Sequence, residues 1–186
     1  MIARRRATGV AAASLISAAV IGLGIAGALN LIASAPDLEQ SGQLVSAGLL
    51  AQSQGNLDDA EQLYRQALGH DPHSAFAYYD LGTIEQQRGQ VTTAIDAYEA
   101  ALDSDPTLVP ALYNLAVLET VSTPADAIKR YQDVIRLDPG NALAHLNLGF
   151  LYVTLGEASA AQSEFTAAVR LDPTVRPRIP AGFLPG

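Results

Sequence analysis

Apolar residues along most of the chain recur three and four positions apart, a period that predicts amphipathic α-helices. One stretch reads as a pair of helices, the first over roughly residues 75–88 and the second over roughly residues 91–104, with Gly89 free to turn between them. Pro106 follows and ends the second helix, because proline disfavours helical geometry at the residue before it. Aromatic residues make up only 6% of the chain, so alanine and leucine supply most of the apolar content. This composition favours close-packed helices, and the pattern predicts an all-α fold.

The predicted helix pair is repeated along the chain. Asp-Pro dipeptides occur at residues 71–72, 105–106, 138–139 and 172–173, so the spacings are 34, 33 and 34 residues. In each unit a pair similar to Leu-Gly lies 23 or 24 residues before the proline, an alanine lies 12 before it and an aromatic residue lies 8 before it. In chain order these residues are Ala47-Gly48, Ala60 and Tyr64; Leu81-Gly82, Ala94 and Tyr98; Leu115-Ala116, Ala127 and Tyr131; and Leu148-Gly149, Ala161 and Phe165.

At these residues the sequence resembles the tetratricopeptide repeat family, whose pattern is W/L-x2-L-G-x2-Y, then A-x3-F, then P. The resemblance implies a right-handed α-solenoid of helix-turn-helix repeats with a continuous core. The departures are Ala51, Glu85 and Glu119 in place of the front-helix tyrosine, His145 in place of a large apolar residue, and a third unit one turn residue shorter near residues 122–124. The predicted domain order is a linker over residues 36–40 and then four repeats, at residues 41–74, 75–108, 109–141 and 142–175.

Residues 1–35 form a segment of different composition. No charged residue occurs from Ala7 to Ala35, and three arginines, at positions 4 to 6, precede this run. A helix of this length more than crosses a ~30 Å hydrocarbon core, and the arginines are expected to stay in the cytoplasm. The segment therefore predicts a transmembrane signal anchor in the cytoplasmic membrane, with the repeats on the extracytoplasmic side. The alternative is a signal peptide cleaved at an A-x-A pattern ending at Ala28 or Ala35, which leaves an exported soluble protein.

The Pro-rich tail, residues 176–186, follows the last repeat, a place where such arrays usually carry a polar-faced helix. Prolines at positions 173, 177, 180 and 185 argue against a helix there. We expect the apolar side chains of this end of the chain to fold back in extended form over the last unit. These side chains are Val175, Ile179, Phe183 and Leu184.

Each front helix is predicted to carry two faces. Positions 4, 7, 8 and 11 of the repeat pack against the partner helix, whereas positions 2, 5, 9 and 12 lie on a separate face. In tetratricopeptide repeat proteins this second face lines a concave groove, so the resemblance implies a largely apolar groove with polar residues at position 6. The predicted groove residues are Val45, Leu49, Phe76, Tyr79, Asp80, Tyr113, Asn114, Val117, Leu143, Leu146, Asn147, Phe150 and Val153.

Three acidic residues, Asp80, Glu85 and Glu119, fall near this predicted groove. They favour a partner segment that is apolar and carries one or two basic residues. The alternatives are that these acids are solvated on a helix surface and that part of the apolar stripe packs between adjacent repeats.

Charge and motif content exclude several classes of function. The formal net charge is −8 and Lys129 is the only lysine, so nucleic acid is not an expected partner. The chain has no cysteine and no H-E-x-x-H, G-x-S-x-G or P-loop motif, so we expect neither an enzyme nor a cofactor or metal site. The G-x-G-x-x-G run at residues 22–27 lacks the βαβ context of a dinucleotide site. His70 and His73 are interpreted as residues of a solvated turn.

These features predict a membrane-anchored protein-protein interaction module, an adaptor or assembly factor that binds a protein or peptide segment. The alternative is a self-associating structural subunit of a membrane complex, and an enzyme is a remote alternative. Such a homo-oligomer is expected to pair through an uncapped last repeat or through a stripe of small residues in the N-terminal segment, at positions 14, 18, 22 and 26.

Overall fold

The computed structural model describes residues 35–184, and the predictions made for residues 1–34 lie outside this range. Eight α-helices follow one another in the described part of the chain, which contains no β-strand. They are α1 (Ala35–Ser53), α2 (Leu57–His70), α3 (Ala75–Gln87), α4 (Val91–Ser104), α5 (Val109–Ser122), α6 (Pro124–Leu137), α7 (Ala142–Thr154) and α8 (Ala158–Leu171). None of these helices combines the length and the hydrophobicity that crossing a bilayer requires.

The helices form four hairpins, and the four predicted repeats are confirmed. Each odd-numbered helix packs mainly against the helix that follows it, and α2, α4 and α6 each contact the first helix of the next hairpin. Clusters of buried apolar residues join neighbouring hairpins; one of them, for example, includes Ala94 of α4 and Ala111 of α5. The core therefore runs along the stack, as expected for a solenoid.

Close approach within a hairpin depends on a small residue opposite an aromatic ring. A Cβ added to Gly82 would lie 2.6 Å from Tyr98 Cε1, a distance that real Cβ atoms do not reach. Gly149 bears the same relation to Phe165, and the third hairpin has Ala116 at the corresponding position with Tyr131 buried beside it. These pairs explain why the small and aromatic residues recur at a fixed spacing.

The turns within the hairpins follow the sequence prediction. Gly89 has a φ angle of +74°, a left-handed conformation that favours glycine, and Gly55 and Gly156 turn in the same way. The third hairpin is shorter, because only Thr123 separates α5 from α6. Pro124 opens α6, a position where its fixed φ and missing N–H carry no cost.

The predicted linker at residues 36–40 is wrong, because these residues belong to α1. Pro36 is the second residue of that helix, where no intrahelical N–H bond is required of it. Asp37 lies in the first turn, where a negative charge is favourable toward the helix dipole. Pro36 and Asp37 are residues typical of a helix start, and α1 therefore begins before residue 41, where the repeat pattern starts.

The C-terminal tail folds back over the last hairpin, as predicted, but in a different conformation. It forms two 3₁₀ turns, Pro173–Arg178 and Ala181–Phe183, and is not a continuous extended strand. Proline's fixed φ is compatible with a short 3₁₀ turn, and the Asp172 side chain accepts a hydrogen bond from the Thr174 N–H. Val175 and Ile179 are buried against the last hairpin, at 3% and 6% exposure.

Candidate protein-binding groove

An open depression of about 520 Å³ lies along the first helices of the second, third and fourth repeats. We call it the inner depression. Four predicted groove residues line it: Tyr79 on α3, Tyr113 and Asn114 on α5, and Leu143 on α7. The stacking of the hairpins brings these residues together, although they are separated by more than sixty positions in the chain. The other lining residues come from helix starts and from the turn between repeats: Val109, Pro110, Asp138 and Asn141.

Sequence reasoning missed Val109, Asp138 and Asn141 because it considered only the helix stripe, and it left out Pro110 although this residue is position 2 of the third repeat. Val109 and Pro110 begin α5, and Asp138 and Asn141 lie in the turn that precedes α7. The sequence did contain a signal for the turn residues. The Asp-Pro turns recur in register with the helices, so they must lie at one end of the face that the helix stripe forms.

Several predicted groove residues expose apolar surface. Phe76 is 61% exposed, and it lies one helical turn before Tyr79, on the same side of α3. Leu49, Leu143 and Val117 are also exposed. Val45 is half-buried and packs against the Tyr64 cluster. Large apolar side chains left in solvent on one side of a stack are typical of an interaction surface.

The fourth repeat differs, because most of its part of the predicted groove, Leu143 excepted, is covered by the chain itself. Leu146 is fully buried in a cluster with Val175 and Ile179, so its predicted place on the open groove is wrong. Phe150 and Val153 are partly buried against the same cluster. The last repeat has no following repeat to pack against, and the tail takes that place. Side chains that were expected to face a partner therefore pack with the tail.

Asparagine at position 6 joins consecutive repeats on the inner face. Asn114 Nδ2 donates to Tyr98 Oη at 3.2 Å, and Asn147 Nδ2 donates to Tyr113 Oη at 2.8 Å. Tyr98 Oη in turn donates to Gln86 Oε1 at 2.7 Å. Burial raises the pKa of Tyr98 to about 12, so this phenol stays neutral and continues to donate at physiological pH.

Asp80 occupies position 6 of the second repeat, and only 6% of the residue is exposed. Burial raises the pKa of its carboxyl from 3.8 to about 6. Its negative charge contributes to the raised pKa values of Tyr64, Tyr79 and Tyr98, after the larger contribution of burial. Asp80 follows Tyr79, which lines the inner depression, but Asp80 is not itself among the lining residues.

Glu85 and Glu119, the other acids predicted near the groove, lie elsewhere. Both are buried at position 11, the side of the front helix that faces its partner helix, so neither the groove nor the solvated alternative describes them. Arg130 Nε donates to Glu119 Oε2 at 2.7 Å, and Arg88 lies 3.8 Å from Glu85 while it also pairs with Glu61. These glutamates are internal ion-pair partners and are not available to a ligand.

Histidines of the described chain make local contacts. His145 Nδ1 lies 2.6 Å from Glu164 Oε2, which explains how a polar residue is accepted at that packing position. His70 Nδ1 lies 3.6 Å from Asp37 Oδ1. Within residues 35–184 no three metal-ligating side chains come together.

Comparison with known proteins agrees with this architecture. A tetratricopeptide repeat model matches residues 45–108, a TPR repeat model matches residues 125–156, and a second tetratricopeptide repeat model matches residues 142–175. The comparison with curated proteins gave no match.

Solved structures show the same fold. A crystal structure of MamA is 24% identical, with a TM-score of 0.66 over 77% of this chain and 83% of its own. PilF of Pseudomonas aeruginosa is 25% identical, with a TM-score of 0.66 over 74% of this chain and 64% of its own. A tetratricopeptide repeat protein of Parabacteroides merdae is 22% identical, with a TM-score of 0.65 over 73% of this chain and 54% of its own. The repeat models together span more than half of the chain, which belongs to the tetratricopeptide repeat family.

Proposed function

We propose that this chain is a membrane-anchored protein-protein interaction module, an adaptor or assembly factor, that binds an apolar and weakly basic segment of a partner in its inner depression. The observation that carries the proposal is the depression itself, which is open to solvent and lined by Tyr79, Tyr113 and Leu143. Tyrosine is enriched at protein interfaces, because it combines a large apolar ring with a polar end. Burial of each large side chain contributes about 1.5 to 3 kcal/mol, so a few such contacts suffice for binding.

The charge around the depression supports a weakly basic segment. Asp138 lines the depression and Asp80 adjoins it through Tyr79, whereas none of its lining residues is a lysine or an arginine. A basic side chain in the partner complements this surface.

The protein's own tail is a segment of the chemistry proposed for the partner. It carries buried Val175 and Ile179 together with Arg176 and Arg178, and it lies over the fourth repeat. Burial raises the pKa of Tyr113, while a hydrogen bond from Asn147 and the positive charge of Arg178 lower it. Arg178 therefore acts electrostatically on a residue of the inner depression, which is the relation proposed for a basic residue of the partner.

The anchor is proposed from the N-terminal segment. An uncharged run of 29 residues after three arginines is long enough to span a bilayer and orients the repeats outward. The intact mass of the mature protein tests this proposal. A mass that includes residues 1–35 is expected, whereas a chain that begins after Ala28 or Ala35 would show an exported, cleaved protein.

The self-associating alternative loses one of its two surfaces, because the tail covers the last repeat that was expected to be uncapped.

Selection of displayed random peptides on the full-length protein tests the groove. We expect apolar peptides to be enriched, and we expect Leu143→Ser to weaken their binding by about tenfold, the equivalent of 1.4 kcal/mol. Leu155→Ser is the matched control, because Leu155 is 43% exposed, close to the 44% of Leu143, and lies at the other end of α7. Absence of any enriched peptide, or equal losses in the two variants, would contradict the proposal.

A further inference from the structure

Position 6 is occupied by asparagine in the third and fourth repeats and by Asp80 in the second. Each asparagine donates to a tyrosine hydroxyl of the preceding repeat: Asn114 to Tyr98 and Asn147 to Tyr113. A carboxylate has no N–H to donate, so Asp80 cannot take part in the same kind of contact. The second repeat therefore breaks a hydrogen-bond pattern that the next two repeats share.

The surroundings of Asp80 do not supply a donor in return. Tyr64 Oη, the nearest equivalent of Tyr98 in the preceding repeat, donates to Gln52 Oε1 at 2.9 Å instead. Position 5 of the first repeat is Val45, which has no hydroxyl. The second and third repeats have Tyr79 and Tyr113 at this position. Within residues 35–184, no hydrogen bond or ion pair reaches the Asp80 carboxylate, and burial is the sole cause of its pKa shift.

The carboxylate is nevertheless not sealed from solvent. Among the described side chains, Glu85 Oε2 is the sole polar atom that is both sealed from solvent and without a partner. The Asp80 oxygens also have no partner, so they keep a narrow contact with solvent. The residue adjoins Tyr79, a wall of the inner depression.

Other buried acids of the described chain are paired within the fold. Glu119 accepts from Arg130, and Glu85 lies 3.8 Å from Arg88, so each has an internal cation. A buried ion without a partner is costly, and the cost is recovered when a cation reaches it.

We infer that Asp80 is a specificity-determining residue of the groove, where it forms an ion pair with the guanidinium or ammonium group of an arginine or lysine in the bound segment. The inference rests on the proposed function and names the contact that selects its ligand. The apolar walls of the depression bind the segment, and Asp80 selects segments that have a basic residue at the position next to it.

Asp80→Asn is the decisive variant. It removes the charge without changing the shape of the side chain, and asparagine already occupies the same position in two other repeats, so we expect the variant to fold. Asp96→Asn is the matched control, because it removes the same charge from an exposed site on α4.

Random peptides are displayed and selected on the full-length wild-type protein, and an enriched peptide is synthesised with arginine and, separately, with neutral citrulline at its basic position. The wild type and Asp96→Asn are expected to bind the arginine form at least about tenfold more tightly than the citrulline form. In Asp80→Asn this ratio is expected to approach one, while binding of the citrulline peptide is retained.

The pH dependence supplies a second measurement. Tyr64 of α2, Tyr79 of α3 and Tyr98 of α4 interact electrostatically with Asp80. Each is neutral near and below pH 7, because its pKa is raised above the ordinary tyrosine value of 10. Protons compete with the arginine for the carboxylate, so wild-type affinity is expected to fall from near neutral pH to about pH 5. In Asp80→Asn the ratio between the arginine and citrulline peptides is expected not to change with pH.

The outcomes separate the two proposals. Enriched peptides without a basic residue, or an arginine preference that survives in Asp80→Asn, would overturn the role of Asp80 and leave the groove as a docking site. If no peptide is enriched on the wild type, both the proposed function and the role of Asp80 fall.

Discussion

The inner face of the solenoid is open along the second and third repeats and at Leu143, near the start of the fourth, but it is closed over the rest of the fourth repeat. Tyr79 and Tyr113 line a solvent-filled depression, whereas Leu146, which occupies the same repeat position, is fully buried. The side chains are all apolar or aromatic, so the difference does not come from the helix stripe. It comes from the tail, which packs Val175 and Ile179 over the last repeat. A repeat position therefore defines which face a residue occupies, and the adjoining chain determines whether that face is available.

The same contrast holds for buried charge. Glu119 has the neighbouring Arg130 as its partner, whereas Asp80 has no cation among the described residues. The closed, paired parts of the molecule are expected to depend on their contacts for stability. The open, unpaired parts are expected to tolerate substitution, or even to gain stability from it. The substitutions below test this division.

Removal of the tail after Asp172 has the largest expected effect. The deletion uncovers Leu146 and Phe165 and removes the burial of Val175 and Ile179. At about 1.5 to 3 kcal/mol for each of these two buried aliphatic side chains, we expect a loss of about 3 to 6 kcal/mol in the free energy of unfolding. Urea denaturation of the full-length and shortened proteins measures it. Arg176→Ala, on the exposed side of the tail, is the control, and an unchanged midpoint in the shortened protein would show that the tail is not a cap.

Arg130→Met is expected to have the next largest effect. It leaves the Glu119 carboxylate without its partner, and an unpaired buried charge costs about 3 kcal/mol. Adding Glu119→Gln is expected to restore much of the loss, because the double variant buries no charge at this place. Urea denaturation of the two single variants and the double variant gives the coupling energy. Additive losses would mean that the two side chains do not act as a pair.

Asp80→Asn is expected to act in the opposite direction. The folded pKa of about 6 lies above the ordinary value of 3.8, so the folded protein binds this proton more tightly than the unfolded chain. Ionised Asp80 therefore destabilises the fold above about pH 6, and the cost disappears as the pH falls toward 3.8. After allowance for solvent contact, we expect the variant to gain about 1 to 2 kcal/mol near neutral pH.

Thermal unfolding of the wild type and Asp80→Asn across this pH range checks the sign. The gain is expected to shrink as the pH falls through 6 and to disappear below about pH 3.8. A constant difference at all pH values would mean that the substitution acts through packing and not through the charge.

Much of the open face could be predicted from the sequence, because the repeat fixes the register. The spacing of the Asp-Pro turns places Tyr79, Tyr113 and Leu143 on one side of the stack, and the structure brings them to one depression. The aromatic ring opposite each small residue was equally readable, since Gly82 and Tyr98 recur at a constant separation.

The closed end could not be predicted in full. The prolines of the tail correctly predicted that it forms no α-helix, but they did not predict its two 3₁₀ turns, which satisfy the same restriction on φ. Burial of Leu146 depends on where those turns lead, which no repeat period encodes. The sequence shows that Val45 stands at position 5 of the first repeat, where later repeats have a tyrosine. That this leaves Asp80 without a hydroxyl partner becomes clear only from the asparagine contacts of the later repeats.

Phe76→Ser is expected to have the smallest effect on stability and to separate the two regions most clearly. Phe76 is 61% exposed on the open face, whereas Phe150 lies edge-on to Phe165, with ring centroids 5.1 Å apart, beneath the tail. We expect the free energy of unfolding to change by less than about 0.5 kcal/mol in Phe76→Ser and to fall by about 3 kcal/mol in Phe150→Ser. Urea denaturation of both variants measures the difference. Similar losses would mean that Phe76 is held by contacts of its own and that the face is less open than its exposure indicates.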